Sequence, residues 1–198
     1  MPRTPIQQRS KEKKRKLVVA GMKLFSEKGF HESNITQIAD QAEVSVGSFY
    51  SYFDNKRDLL NQVTESYAAS IVRGVYGDMA EAAPYSEGEK SVVWFIINRA
   101  RQAHALSTEL HREMLALKNR DNLMAELDRK IVETFEKEIE TILIRSKVEA
   151  ENVKILARLV SGAIEETMHR CLIEKSEPEI EKTFQELANM CSSYLFKI

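Results

Sequence analysis

The placement of proline constrains this chain more than any other feature. Its prolines are Pro2, Pro5, Pro84 and Pro178, so Ile6 to Ala83 and Tyr85 to Glu177 run without one. Proline breaks helix interiors because it lacks an N–H and its ring clashes with the preceding turn. Two proline-free runs of this length therefore leave helices free to form. Glycine is scarce too, at 7 residues in 198, while Glu, Lys, Leu and Ala are abundant. Few turn residues among many helix formers predict an all-α protein. The clear linker is Glu81 to Gly88, centred on Pro84.

Helical spacing then divides the runs into about nine helices. Leu17, Gly21 and Leu24, with Val18 and Phe25, define the first. It is expected to end at a left-handed Gly29, with Phe30 folding back on Phe25. Asn34 with Gln37 reads as a capping box for a second helix carrying Ile38, Ala39 and Ala42. Val44 closes a turn, and Ser45 caps a third helix whose Phe49 and Phe53, four apart, face inward. That leaves Gly47, Ser48, Tyr50, Ser51 and Tyr52 on or near the other side. A short helix with an exposed face of glycine, hydroxyls and phenols is a poor core element and a good probe for a groove of hydrogen-bonding groups. Such is the logic of a helix-turn-helix, whose second helix enters the DNA major groove.

The stretch resembles the DNA-binding domain of the TetR family of transcriptional regulators. The residues that carry the resemblance are Ile38-Ala39, Ala42-Glu43-Val44-Ser45, Gly47, Phe49-Tyr50-Ser51-Tyr52-Phe53 and Asn55-Lys56-Arg57-Asp58-Leu59. They match without a gap over about the first third of the chain. Two residues depart from the pattern. Glu43 stands at the usual turn glycine and needs a backbone conformation that a non-glycine residue tolerates. Val46 stands where lysine or threonine is common, exchanging a phosphate contact for an apolar one. The resemblance implies a flexible arm over 1–10, a three-helix DNA-binding domain over 11–57 with its motif at 34–53, and a helical effector-binding and dimerisation domain over 58–198.

The DNA-binding residues expected are Thr36, Gln37, Ser45, Val46, Gly47, Ser48, Tyr50, Ser51, Tyr52 and Lys56. Tyr50 and Tyr52 can bond phosphates and pack sugars, and Gly47 permits close approach of the helix to the strand. Ser48 and Ser51 can touch base edges. Thr36 and Gln37, at the start of the second helix, are expected at backbone or a flanking base. Lys56 takes from the family a contact to the DNA backbone. Charge is placed to match. Residues 1–60 hold 11 Lys and Arg against 7 Asp and Glu, about +4, leaving about −5 elsewhere since the whole carries −1. A basic cluster at Lys11, Lys13, Lys14, Arg15 and Lys16 favours phosphates, and Arg3 and Arg9 are candidates for the minor groove.

The fourth helix is expected to run from Leu59 towards Met79, loosened near its end by Gly74 and Gly77, and to link head and body. Ser86 with Glu89 reads as the capping box of the fifth, whose Val92 to Ile97 run implies burial all round. Short sixth and long seventh helices follow, the seventh with Leu123, Leu127, Ile131, Phe135, Ile139 and Ile142 on one stripe. The eighth carries a core stripe from Val153 to Cys171 and a second apolar stripe through Ile155, Leu159 and Gly162. The ninth opens with Ser176, Pro178 and Glu179. Two such helices have more to bury than one chain offers, so a homodimer through the last two helices is the economical answer.

Within the body, the family's small-molecule pocket points to Trp94, Phe95, Arg99, His104, Met114, Met124, Phe135 and His169. The effector is unknown, and no cofactor is implied. His104 and His111 share a face only if their helix is continuous, and the expectation is ordinary histidines and no metal. No catalytic residues are expected, since there is no Gly-rich phosphate loop, no CxxC pair and no acid at motif spacing from His169 or Cys171. Cys171 and Cys191 read as reduced and buried. Without an apolar leader or a spanning run, a cytoplasmic protein away from membranes is expected.

The function expected is a ligand-responsive dimeric regulator, a repressor released from a palindromic double-stranded operator by a small molecule. The alternative is a helical small-molecule-binding protein or enzyme without specific DNA binding, which operator titration distinguishes. An architectural DNA-compacting protein would bind without sequence preference.

Overall fold

A computed structural model describes residues 6–149, 151–173 and 179–196. Among them there are ten α-helices and no strand. The chain divides into two compact units, Met1–Tyr67 with Glu109–Leu127, and Ala68–Thr108 with Asp128–Ile198. The boundaries fall inside helices, within Lys56–Ser70, Thr108–Leu117 and Asn122–Arg145.

In the first unit, α1 (Ile6–Glu32) begins before the basic cluster, so residues 6–10 of the expected arm are helical. Leu17, Ala20, Leu24 and Phe25 are its buried face. Gly21 lies where a Cβ would stand 2.8 Å from the Leu59 side chain, so only a bare backbone lets α1 come this close to the Lys56–Ser70 helix. Gly29 has φ 81 and ψ 164, a positive φ as expected but with extended rather than left-handed helical ψ. The loop-back still occurs, with Phe30 edge-on to Phe25 at 5.6 Å between ring centroids.

Helix α2 (Ile35–Gln41) carries the expected capping box. The Asn34 carboxamide accepts from the Gln37 N–H at 3.0 Å, and the Gln37 side chain accepts from the Asn34 N–H at 3.2 Å. Glu43 takes φ 56 in the turn that follows. Helix α3 (Val46–Tyr50) ends one turn earlier than its phenylalanine spacing predicts, with Phe53 held in a turn whose N–H donates to the Phe49 carbonyl. Phe49 and Phe53 are nevertheless both buried, their centroids 5.6 Å apart. Helix α4 (Lys56–Ser70) is capped by Asn55, which accepts from the Asp58 N–H at 2.9 Å. Leu59, Leu60 and Val63 complete the core.

The residues of the first unit after Thr108 bury Leu110, His111, Met114 and Met124. The Tyr67 hydroxyl and His111 Nδ1 are 3.3 Å apart. Asp121 caps the Asn122–Arg145 helix through the Met124 N–H at 3.1 Å and pairs with Arg57.

In the second unit, the chain after Ser70 widens into a π-helical turn, Ile71–Val75, instead of continuing as α-helix to Met79. Gly77 follows, where a Cβ would meet the Arg73 carbonyl oxygen at 2.8 Å. The short α5 (Met79–Ala82) after this break is the helix beyond the nine expected. The expected Ser86–Glu89 capping box does not form. Tyr85–Glu87 is a 3-10 turn, and Gly88, at φ 92, occupies the N-cap of α6 (Glu89–Ala105) without a side-chain cap.

Helix α6 is not buried all round either. Val92, Val93, Ile96, Ile97 and Ala100 form one inward stripe, while Trp94 and Phe95 are half-buried and Asn98 is exposed. With α7 (Thr108–Leu117) already placed, α8 (Asn122–Arg145) contributes Phe135, Ile139 and Ile142, with Phe135 stacked on Tyr76 at 4.7 Å. Helix α9 (Val153–Met168), which continues as the π-helical turn His169–Ile173, and α10 (Ile180–Phe196) both pack with α6. Cys171 and Cys191 are both buried, and burial pushes the Cys191 thiol pKa up. The expected cap residues Ser176 and Pro178 lie outside the described residues.

Candidate nucleic-acid interface and the sites of the body

The outward face of the first unit is built by capping chemistry. The Ser45 hydroxyl oxygen accepts from the Ser48 N–H at 3.1 Å and lies 3.0 Å from the Ser48 hydroxyl. The Ser51 hydroxyl donates to the Gly47 carbonyl at 3.2 Å. These local bonds hold a helix of barely more than one turn in shape. Thr36, Ser45, Val46, Gly47, Tyr50 and Ser51 are exposed, and Gln37, Ser48 and Tyr52 are half-buried. Tyr50 is 56% exposed although it sits edge-on to the buried Phe49. A Cβ on Gly47 would find no neighbour nearer than the Ser45 hydroxyl at 3.9 Å, so the chain's own packing does not demand glycine there.

Basic groups flank this face on α1. Arg9, Lys11, Lys13, Lys14 and Arg15 are exposed, Lys14 lies over the Phe53 ring at 5.5 Å, and Lys16 pairs with Glu43 at 3.2 Å. Arg3 is outside the described residues. Lys56 is half-buried and held within the first unit. Its ammonium donates to the carbonyls of Phe30 and Ser33, each at 2.6 Å, and lies 4.4 Å from the centre of the Phe30 ring. It ties the 30–33 stretch to the start of α4, a role hidden from sequence because Lys56 lies more than twenty residues from both acceptors.

The eight side chains expected around an effector do not fall in one unit. Met114 and Met124 are buried in the first. In the second, the Arg99 guanidinium covers Phe95 at 5.1 Å and donates to the Val75 carbonyl and to Asp78, each at 3.2 Å. Trp94 is half-buried on the same helix, and Phe135 stacks on Tyr76. His104 and His169 form a third group, with ring centroids 5.5 Å apart.

Glu165 belongs with those histidines and was missed, though its spacing four before His169 was a signal. His104 Nε2 lies 3.5 Å and His169 Nε2 3.7 Å from the same Glu165 carboxylate oxygen. His104 Nδ1 is 2.9 Å from the Ala100 carbonyl, which fixes the proton on Nδ1. Burial, outweighing that hydrogen bond, lowers the His104 pKa to about 4. The ring is therefore neutral near pH 7, and its contact with Glu165 is not an ion pair there. His104 and His111 lie on separate helices, α6 and α7, so the continuous face considered for them does not exist.

Residues 17–63 match the family described as bacterial regulatory proteins, tetR family. Residues 92–195 match that described as Tetracyclin repressor-like, C-terminal domain. The chain belongs to the TetR family. It is a DNA-binding transcriptional regulator, and the family's members are regulators rather than enzymes. Such regulators act on DNA and small-molecule effectors and are typically dimers.

The "Fatty acid metabolism regulator protein" of Bacillus subtilis (strain 168) is 24% identical over 161 residues, covering 77% of this chain and 79% of that one. The "HTH-type transcriptional regulator HbdR" of Aromatoleum sp. (strain CIB) is 39% identical over 70 residues, 33% of this chain and 31% of its own, so this chain spans about a third of that relative. In fold, the chain is similar to the transcriptional regulator FadR from Bacillus subtilis in complex with stearoyl-CoA, with TM-score 0.63, 20% identity, and coverage of 90% of this chain and 97% of that one. No helix among the described residues is long and apolar enough to cross a membrane.

Proposed function

We infer that this TetR-family regulator is a repressor that binds a palindromic operator as a homodimer and leaves it when a long-chain acyl thioester occupies its body. The carrying observation is the outward presentation of Ser45, Val46, Gly47, Tyr50 and Ser51 on a helix anchored by buried Phe49. In this reading Tyr50 and Tyr52 meet phosphate and sugar, Ser48 and Ser51 face base edges, and Thr36 and Gln37 meet the flanking strand. The exposed α1 cations add the salt-dependent, sequence-independent share of affinity. Lys56 retains one of its three N–H donors for phosphate beside the two carbonyls it holds.

The dimer rests on α9 and α10. Ile155, Leu159, Met190 and Tyr194 are 53% to 73% exposed on these helices. An apolar groove of about 220 Å³ runs among Leu156, Leu159, Val160, Ala163, Met190, Cys191, Tyr194 and Leu195. Covering four such side chains on each of two protomers gains on the order of 10 kcal/mol, comparable to the cost of association. One charge in the patch therefore tips the balance, and Leu159→Glu is expected to give a monomer in sedimentation analysis. The acyl thioester follows from the named chemistry of the relatives, a fatty acid metabolism regulator and a FadR holding stearoyl-CoA.

The test selects binding sites from random duplexes with the full-length protein, then measures affinity with and without stearoyl-CoA. A palindromic consensus, weakened at least tenfold by Tyr50→Ala and released by stearoyl-CoA, is expected. Selected duplexes without a shared sequence overturn the operator reading. A consensus indifferent to stearoyl-CoA overturns the effector alone.

A further inference from the structure

The second unit brings together a set of groups that DNA binding leaves unused. His104 closes the last turn of α6, Glu165 lies in the last turn of α9, and His169 begins the π-helical turn that follows. His104 is 2% exposed, Glu165 17% and His169 23%. Both Nε2 atoms converge on one carboxylate oxygen, at 3.5 and 3.7 Å.

Metal chemistry gives this geometry a scale. An ion held tetrahedrally about 2.1 Å from each ligand spaces its ligands about 3.4 Å apart. The two measured separations come within a few tenths of an ångström of that value. The orientation of His104 is the second observation. Its Nδ1–H donates to the Ala100 carbonyl at 2.9 Å, so the lone pair of the ring is on Nε2, directed at the Glu165 oxygen. A histidine that ligates through one nitrogen and donates from the other to a carbonyl is the usual arrangement at metal centres, because the outer bond fixes tautomer and ring orientation. The π-helical turn is the third. A widened turn of this kind is frequent at functional sites, and here it starts at a candidate ligand.

We propose that His104 Nε2, His169 Nε2 and a Glu165 carboxylate oxygen form a site for a divalent first-row transition metal, with zinc best suited to two imidazoles and one carboxylate. The proposal departs from the sequence expectation of no metal and stands independently of the acyl-thioester reading. The ion links α6 to the end of α9. Partial exposure of Glu165 and His169 gives it a way in. Nickel and copper fit the nitrogen donors, but the single carboxylate and tetrahedral spacing favour zinc or cobalt.

The experiment uses the full-length protein, stripped with chelator and desalted. Zinc chloride is titrated calorimetrically, and cobalt chloride is titrated while the visible absorption of the ion is followed. One ion per chain is expected, with tetrahedral cobalt absorption and a higher melting temperature with zinc. His169→Ala and the near-isosteric Glu165→Gln are each expected to weaken zinc roughly 100-fold or more and to abolish the cobalt bands. His31→Ala, at an exposed histidine elsewhere, is expected to change neither. Circular dichroism confirms that each variant folds, and Glu165→Gln carries the test if His169→Ala does not. Absence of stoichiometric binding overturns the proposal, as does binding that survives Glu165→Gln within threefold.

Discussion

Lys56 Nζ lies 2.6 Å from the carbonyl oxygen of Phe30, and the same ammonium reaches the Ser33 carbonyl at 2.6 Å. Both acceptors lie just past Gly29, whose φ 81 and ψ 164 break the helix, and the Phe30 carbonyl also accepts from the Ser33 hydroxyl at 2.9 Å. A cation there joins the 30–33 stretch to the start of α4 around one charge. Hydrogen bonds to charged groups contribute about 1.5–3 kcal/mol each when half-buried. Lys56→Met, which removes both bonds, is therefore expected to lower unfolding stability in urea by about 3 kcal/mol or more as well as to weaken DNA binding. A lysine that only touched phosphate would leave the urea midpoint unchanged.

Gly47 separates fold from function more cleanly. Alanine at this position meets nothing nearer than 3.9 Å and is the better helix former. Gly47→Ala is expected to keep or slightly raise the melting temperature while reducing operator affinity at least tenfold. Unchanged affinity would mean that the start of α3 stays clear of the DNA.

Glu43, at φ 56, sits where an L-residue with a side chain costs about 1–2 kcal/mol. Glycine removes that strain but adds unfolded-state freedom of about 0.5–1 kcal/mol, and the exposed pair with Lys16 is lost at little cost. Glu43→Gly is expected to be neutral to about 1 kcal/mol stabilising. Glu43→Val, β-branched in the same conformation, is expected to destabilise, and chemical denaturation of the two variants reads the difference in sign.

Asp121 gives the first unit an acid dependence. The Met124 N–H, and then the Arg57 charge, hold its carboxyl below the usual aspartate range. A carboxyl depressed in the folded state contributes stability that is present above its unfolded pKa, about 3.9, and is lost as pH falls through the folded value. The wild type should thus lose this share only below about pH 4. Asp121→Ala, which removes the cap and the pair, is expected to cost about 1 kcal/mol at pH 7. Its deficit should shrink towards zero in strong acid, and unfolding curves across that range measure the convergence.

Much of the fold was legible because it rests on short-range chemistry. The Asn34–Gln37 capping box, the Ser45 cap and the inward pair Phe49–Phe53 each involve residues within four positions, and each formed as read. Local reading failed where two patterns competed. Ser86–Glu89 looked like a cap, but Gly88 at positive φ starts α6. The apolar run Val92 to Ile97 looked fully buried, but a helix turns Trp94 and Phe95 away from the stripe that its neighbours cover.

Amino-acid order alone established an all-helical chain, a helix-turn-helix with Gly47 and Tyr50 on its open face, and an unused apolar stripe near the end. Those properties follow from periodicity and capping, which act within a turn or two of helix. Tertiary structure alone decided that Lys56 clamps Phe30 and Ser33, that Asp121 meets Arg57, and that His104 converges with Glu165 and His169. These partners lie tens of residues apart, save for Glu165 and His169. Distance along the chain carries no information about distance in space until the helices have packed.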